Sequence, residues 1–287
     1  MSAARVGSWV VLLALAGCPQ GPPPTPPLAA APAPRTVTPS PAIAELVVAI
    51  GAEPHLVGVS PFCTHPPRLE ALPGIGGLQP NLEQLEVLQP DLLLWQGTSD
   101  LAAGYAERRG AAFESFVIES LADVQAALAR LGALFGREEA AAVETARIQA
   151  AVEAARAGAS GDRPRVLLVF DREPGTLQRL QVVGGGTFLS ECLEACGGVN
   201  ALEERAGWPT LGPEGLLELD PDVVIELVNR DDVDPQEAAA RVAEWSRFSD
   251  LGAVEAGRVR AVTGSELLIP GPRLTQTLEK LSEALAP

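Results

Sequence analysis

The sequence predicts an α/β protein with two Rossmann-like lobes, each built on a central parallel sheet. A long helix joins the lobes, and a ligand cleft lies between them. Two observations predict this fold: from residue 35 onwards apolar strand-like runs alternate with helical patterns, and a twelve-residue pattern occurs twice. Alternation of this kind favours parallel sheets with helices packed on their faces. The chain of 287 residues is 47% hydrophobic, which allows a substantial core.

The first lobe is expected over residues 35–136. It should contain strands at 35–38, 55–60, 91–95 and 113–117, and helices near 42–50, 82–88 and 100–109. Residues 120–158 are rich in alanine and contain no proline, so they predict one or two helices. The longer of these is the expected connecting helix at 137–158, and a strand at 165–170 opens the C-terminal lobe at 159–287.

The repeated pattern indicates that the two lobes are related. Residues 83–94 match residues 214–225 with the same spacing of a glutamate, two leucines, a Pro-Asp pair and three apolar residues. Each copy is typical of a short amphipathic helix followed by a buried strand, with Asn81 or Gly212 before the helix as its cap. Ligands of open α/β sheets bind at the carboxyl ends of the strands, so the cleft is the expected site.

The first 34 residues have the composition of an export and anchoring segment. Residues 6–17 are apolar but too short to span a bilayer, and they end in Leu15-Ala16-Gly17-Cys18, which resembles the bacterial lipoprotein box. This resemblance implies a signal peptide at 1–17 and lipidation of Cys18; the alternative is an ordinary signal peptide with an incidental cysteine. Residues 19–34 contain eight prolines and no charge, so residues 18–34 are expected to form an extended tether. The protein is therefore predicted to be exported and lipid-anchored to a bacterial membrane, facing the periplasm or the cell exterior.

The charge and the motifs exclude several function classes. Acidic residues outnumber basic ones by 37 to 21, which argues against nucleic acid as a partner. Two histidines are too few for a zinc site built from several histidines, and the sequence has no GxSxG, P-loop or HExxH motif. We therefore expect no enzyme activity, no catalytic residues, no protein metal site and no cofactor. Whether Cys63, Cys192 and Cys196 pair is left open by their odd number.

Several short segments occur in a characteristic order and spacing: residues 38–41, 56–60, 66–67, 76–77, 81–83, 90–91, 186–189, 197–200, 253–259 and 270–274, with Trp208 six residues before Glu214. On these segments, residues 35–287 resemble the helical-backbone substrate-binding proteins of ABC importers, which bind cobalamin, ferric siderophores and haem.

This resemblance implies a monomeric protein that captures a metal chelate, either a cobalamin-type corrinoid or a ferric siderophore, and delivers it to an importer. The implied partners are a permease dimer and its ATPase subunits, and the ligand would contain cobalt or iron. In the family, the positions of Glu83 and Glu214 form salt bridges with the two permease subunits. Two alternatives stay open: an importer-independent receptor or scavenger on the same fold, and a lipoprotein hydrolase that uses acids such as Glu226 or Asp171.

The candidate ligand-binding residues follow predicted strands or lie in loops at the cleft. They are Trp95, Gln96, Trp208, Phe62, His65, Arg172, Asn229 and Arg230. The tryptophans offer flat apolar walls for a macrocycle, the Trp208 position faces the ligand in the family, and Arg172 offers a charge for an acidic group. The alternatives are structural packing of each tryptophan, packing of His65 on proline, and an ion pair for Arg172.

Two departures from the family argue against each specific ligand, but not against the class of chelate-binding proteins. Cobalamin-binding members have a tryptophan at the position of Gly77, and haem binders usually offer a tyrosine. The only tyrosine here is Tyr105, on a predicted helix away from the strand ends. The sequence is therefore a poor match for haem or a strongly anionic chelate.

Overall fold

The computed structural model describes residues 34–159, 161, 163–173 and 175–286. The predicted signal peptide, the lipidation site Cys18 and the tether up to residue 33 lie outside these residues. Within the described part of the chain, no helix is both long and apolar enough to cross a membrane.

The first sheet contains four parallel strands in the order β2-β1-β3-β4. Its strands and helices are β1 (Thr36–Thr38), α1 (Pro41–Ala49), β2 (Leu56–Val59), α2 (Leu82–Leu88), β3 (Leu92–Gln96), α3 (Asp100–Arg109) and β4 (Ala112–Phe116). These bounds confirm the predicted elements to within a residue or two. The four carboxyl ends meet at one edge, and the loops that follow them form one wall of a cavity.

Two helices connect the sheets, α4 (Leu121–Phe135) and α5 (Glu138–Gly158). Helix α4 begins with a capping box, in which Ser120 and Asp123 satisfy each other's backbone N–H groups. It ends at Gly136, whose φ of 62° is a left-handed conformation that glycine adopts without strain. The alanine-rich region therefore forms two helices, and the longer one lies where the connecting helix was expected.

The second sheet has the order β10-β9-β5-β6-β8, with β7 also paired to β5. Its elements are β5 (Arg165–Arg172), β6 (Leu180–Val182), α6 (Phe188–Ala195), β7 (Val199–Asn200), β8 (Thr210–Leu211), α7 (Pro213–Leu219), β9 (Val223–Val228), α8 (Pro235–Glu244), α9 (Gly252–Glu255), β10 (Val259–Thr263) and α10 (Leu274–Leu285). Strands β5, β7, β9 and β10 are parallel, whereas β6 and β8 are antiparallel to their neighbours. The central strands are therefore parallel, as predicted. Strand β6 runs antiparallel to β5 because only a short connection separates the two, and a parallel pair needs a longer crossover.

One hydrophobic core extends across both sheets. Leu46 from α1 and Leu168 from β5 belong to the same buried cluster, together with Ile148 and Val152 of α5. The connecting helix therefore packs into a core shared by both lobes. This packing favours a fixed arrangement of the two sheets.

The sequence repeat is also a structural repeat. Helices α2 and α7 end at Gln89 and Asp220, which both have the left-handed conformation, with φ of 47° and 40°. Asp91 accepts a hydrogen bond from the backbone N–H of Arg35 at 2.8 Å, and Asp222 accepts one from Arg165 at 2.7 Å. The two arginines in turn donate to the carbonyls of Leu88 and Leu219 at the helix ends. The repeat thus includes a pair of arginines that the sequence comparison did not identify.

The three cysteines of the described region are buried and free. Burial raises the pKa of each thiol above its ordinary value, which disfavours the reactive thiolate. They therefore contribute to the packing of the core as small apolar side chains.

Candidate functional site

A cavity of about 810 Å³ lies at the carboxyl ends of both sheets. The loops after β1, β2, β3 and β4 form one side, and the segments after β9 and β10 form the other. The lining residues are Pro39, Ser40, Pro41, Ala42, Pro61, Phe62, Thr64, Gly77, Leu78, Trp95, Gln96, Gly97, Phe116, Val117, Ile118, Glu119, Asn229, Ser265, Leu268, Ile269 and Pro270. This is the position at which α/β sheets hold ligands, and the volume lies in the range of small-molecule sites.

Hydrogen bonds between loops hold the polar parts of the wall in place. The hydroxyl of Ser40, which also caps α1, donates to Gln96 Oε1 at 2.7 Å. On the other side, Asp231 accepts the backbone N–H of Ser265 at 2.9 Å, and Arg273 donates to the Ser265 hydroxyl at 2.9 Å. Hydrogen bonds from Ser265 hold the pKa of Asp231 below its usual value. The cavity wall is therefore preorganised rather than a loose surface.

Three apolar side chains of the first lobe are exposed at the cavity. Phe62 is 69% exposed, Leu78 is 95% exposed and Val117 is 68% exposed, and all three line the cavity. Exposed apolar side chains grouped around a concave surface favour contact with an apolar ligand face. Sequence reasoning identified Phe62 but missed Leu78 and Val117; the only signal was that Val117 is the last residue of the strand predicted at 113–117.

The lining carries very little charge. Among the described residues that line the cavity there is no lysine, arginine, histidine, tyrosine or cysteine, and Glu119 is the single titratable side chain. The polar groups are otherwise amides and hydroxyls, from Gln96, Asn229, Ser265 and Thr64 among others. Such a lining suits a large ligand that is uncharged overall and carries hydrogen-bonding groups at its edge.

Residues 37–265 match the family described as periplasmic binding protein. The chain belongs to this family. It is 29% identical over 262 residues to a cobalamin-binding protein of Halobacterium salinarum, an alignment that covers 87% of this chain and 69% of the relative. It is 24% identical over 262 residues to an uncharacterised ABC transporter substrate-binding lipoprotein of Bacillus subtilis, covering 88% and 80% of the two chains. A crystal structure of a periplasmic heme-binding protein from Pseudomonas aeruginosa superimposes with a TM-score of 0.70 at 28% identity, covering 87% of this chain and 91% of the other.

The two candidate tryptophans of this periplasmic binding protein have different environments. Trp95 borders the cavity, but only 2% of it is exposed, and its ring packs against Phe113 with centroids 6.3 Å apart. Most of the Trp95 side chain belongs to the core because β3 is covered on both faces, and a ligand contact at its cavity edge stays a prediction. Its neighbour Gln96 is exposed and reaches the cavity.

Trp208 lies beside the cavity rather than in its lining. It is 37% exposed and packs edge-on against Phe170, with centroids 5.2 Å apart. Its indole N–H donates to Glu119 Oε2 at 3.0 Å, and Glu119 belongs to the loop after β4 in the first lobe. Trp208 thus links the second lobe to a residue of the cavity wall.

His65 is exposed and lies outside the cavity lining, whereas Phe62 and Thr64 of the same loop contribute to it. The prediction that His65 faces the ligand is therefore not supported by its position. A loop histidine next to proline was the alternative, and the structure fits it better.

A second hollow of about 370 Å³ adjoins the cavity and shares Asn229 and Leu268 with it. The side chain of Arg172 lies here, but it is only 1% exposed and is paired with Glu226 at 3.1 Å and with Glu244 at 2.5 Å. Glu226 also accepts hydrogen bonds from Arg241 and from the indole of Trp245. The assignment of Arg172 as a free ligand contact is corrected: it stabilises a buried ion network, since an unpaired charge at this depth is costly.

Other charged and polar side chains around the second hollow also have partners within the protein. Burial raises the pKa of Glu244, but the hydrogen bond and the charge of Arg172 outweigh it, so the net pKa is lowered. Arg230 is half-exposed and is paired with Glu237 at 2.5 Å. Asn229 lines both hollows. Its side-chain amide is oriented so that the nitrogen donates hydrogen bonds to the backbone carbonyls of Gly264 and Ser265. Glu226, a candidate acid in the hydrolase alternative, is bound by three partners within this network.

The two glutamates of the repeat occupy equivalent exposed positions. Glu83 lies in the first turn of α2, and Glu214 lies in the first turn of α7. Neither forms an ion pair with another described residue. Both carboxylates are therefore available to a partner.

Proposed function

We propose that this protein captures a corrinoid of the cobalamin type and delivers it to an ABC importer. Membership in the periplasmic binding protein family and the similarity to an ABC transporter substrate-binding lipoprotein support the transport role. The observation that carries the choice of ligand is the cavity of about 810 Å³ with a nearly uncharged lining. The name of the Halobacterium salinarum relative points to the same ligand class.

Haem and ferric siderophores suit this lining less well. Haem carries two carboxylates, and its iron is held in proteins by histidine, cysteine, methionine or tyrosine, none of which is among the described lining residues. An anionic catecholate chelate needs cationic donors, which the described lining also lacks. A corrinoid is larger, carries amide groups around its ring and is close to neutral overall. Exposed apolar residues such as Phe62 and Leu78 can contact its face, and Gln96 and Asn229 can bind its amides.

A titration of the purified protein tests the ligand. We expect cyanocobalamin to quench tryptophan fluorescence with a dissociation constant of about 1 µM or lower, which corresponds to about −8 kcal/mol. Haemin and a ferric tricatecholate serve as comparison ligands. Tighter binding of haemin or of the tricatecholate than of cyanocobalamin would reject the assignment.

We further infer that a lipid on Cys18 anchors the protein to a membrane. The lipoprotein box and the uncharged proline-rich tether support it, and the Bacillus subtilis relative is described as a lipoprotein. The Cys18→Ser variant should leave the detergent phase in a phase-partition experiment. Continued partition of this variant into detergent would remove the anchor from the proposal.

The exposed glutamates support docking to a permease dimer. Glu83 and Glu214 stand at matching positions on the two lobes, and a two-fold permease presents the same surface twice. We infer that each glutamate binds a basic residue of one permease subunit.

A further inference from the structure

Glu119 is the one titratable side chain among the described residues that line the cavity. It lies in the loop between β4 and α4, where Asp123 accepts its backbone N–H at 3.1 Å as an extension of the capping box. Its carbonyl accepts the backbone N–H of Phe188 at 2.6 Å, and its Oε2 accepts the indole N–H of Trp208 at 3.0 Å. Two contacts therefore hold the backbone of Glu119, and the indole N–H of Trp208 alone binds its carboxylate; Phe188 and Trp208 belong to the second lobe.

The remaining carboxylate oxygen is available to a ligand. Oε1 of Glu119 accepts no hydrogen bond from any described residue, although Glu119 lines the cavity. A carboxylate accepts several hydrogen bonds, and those it accepts from amide N–H groups are stronger than bonds between neutral groups. The free oxygen thus favours a ligand that presents N–H donors.

No positively charged side chain among the described residues of the lining offsets the charge of Glu119. The three arginines of the adjoining hollow, Arg172, Arg230 and Arg241, are each paired with two acidic residues. A ligand carboxylate or catecholate entering the cavity therefore meets the negative charge of Glu119 with no compensating positive charge among those lining residues.

We propose that Glu119 determines the charge specificity of the site. Its carboxylate binds the amide edge of a neutral chelate and repels chelates that carry carboxylate or catecholate groups. This inference rests on the proposed function, since it explains which chelates the same cavity admits. Discrimination against the wrong partner by an unfavourable charge is a common source of specificity.

The Glu119→Gln variant tests this role with little change in shape. Glutamine keeps an oxygen that accepts the indole N–H of Trp208, so the link between the lobes is retained. We expect cyanocobalamin to bind about threefold to tenfold more weakly to the variant, and haemin to bind about tenfold more tightly, which corresponds to about 1.4 kcal/mol. Glu107→Gln is the matched control, because Glu107 is an exposed glutamate on α3 outside the cavity, and it should change neither constant.

The ionic strength provides a second readout. The preference of the wild type for cyanocobalamin over haemin should fall as salt is raised, and the preference of Glu119→Gln should not. If the wild type binds cyanocobalamin but Glu119→Gln leaves the ratio of the two constants unchanged, the specificity role is wrong and the proposed function stands. If the wild type binds none of the chelates, the proposed function fails, and the specificity role fails with it.

Discussion

The two candidate tryptophans should respond differently to replacement by alanine, because Trp95 is buried and Trp208 is partly exposed. Trp95→Ala should lower the free energy of unfolding by about 3–5 kcal/mol, because it empties a core position beside Phe113. Trp208→Ala should cost much less stability but weaken ligand binding about tenfold, because it removes a half-exposed ring and the partner of Glu119. Urea denaturation and ligand titration of both variants measure these effects.

The Trp208→Phe variant separates the contribution of the aromatic ring to ligand affinity from that of the indole N–H group. It keeps an aromatic surface against Phe170 but donates nothing to Glu119, so its affinity for ligand should lie between those of the wild type and the alanine variant. Normal affinity in Trp208→Ala together with a stable Trp95→Ala would contradict both assignments.

Burial explains why the roles of single residues were harder to predict from the sequence than the positions of helices and strands. The sequence placed Trp95 and Arg172 correctly at or near strand ends, and both lie there. Their burial depends on partners distant in sequence: Phe113 on the neighbouring strand in one case, and Glu226 and Glu244 in the other. A strand end in the sequence marks the edge of the sheet, but only tertiary packing decides whether the side chain reaches the cavity.

The capping box of α4 should make the stability of the protein depend on pH. Hydrogen bonds from Ser120 hold the pKa of Asp123 below its usual value of 3.8. A lowered pKa in the folded state means that the stabilisation is fully present above pH 3.8 and is lost as the pH falls through the folded pKa. Asp123→Ala should therefore cost about 1 kcal/mol at neutral pH and progressively less below the usual pKa, as measured by urea denaturation across this pH range.

The same variant should affect the ligand site. Asp123 also accepts the backbone N–H of Glu119, so Asp123→Ala should weaken cyanocobalamin binding modestly even at neutral pH. Asp100→Ala is a suitable control, because Asp100 lies in the first turn of α3, away from the cavity. Equal effects of the two variants on ligand affinity would argue against a positioning role for the capping box.

Elements followed from the sequence because their signals are local. The alternation of apolar runs and helical patterns predicted the first sheet closely, and Gly136 accounts for the break between α4 and α5. The antiparallel strands β6 and β8 were not predicted, since alternation alone does not give strand direction. The arginines of the structural repeat, Arg35 and Arg165, were missed because they lie more than fifty positions from the aspartates they contact.

At the scale of the whole molecule, one buried ion pair joins the two lobes. Arg273 donates to both carboxylate oxygens of Glu45 on α1, at 2.9 and 2.7 Å, and both side chains are buried. Arg273→Met should lower the free energy of unfolding by about 3–5 kcal/mol, because it leaves the charge of Glu45 unpaired. The double variant Glu45→Met/Arg273→Met should recover part of this loss, as measured by urea denaturation, because Arg273 also contacts Ser265 and Glu266.

The exposed ion pair between Arg68 and Glu53 is the control for this experiment. Arg68→Met should leave the unfolding transition unchanged within error, because solvent and salt screen this pair. A loss in Arg273→Met no larger than in Arg68→Met would show that the inter-lobe pair does not hold the lobes together.

The two exposed glutamates of the repeat provide a test of docking to the permease. A carboxylate in the first turn of a helix is stabilised by the helix dipole, and this explains either Glu83 or Glu214 alone. It does not explain why both stand at the same register of two equivalent helices, exposed and without an ion-pair partner among the described residues. A receptor with two related lobes needs such a matched pair to orient itself on a two-fold permease, and exposed charges chiefly control orientation and association rate.

The Glu83→Gln/Glu214→Gln variant should bind its ligand normally, melt within a few degrees of the wild type and fail to support uptake. Glu86→Gln/Glu218→Gln, on the same two helices, should transport as the wild type does. Normal uptake by Glu83→Gln/Glu214→Gln at moderate salt would leave the helix dipole as the only role of these glutamates.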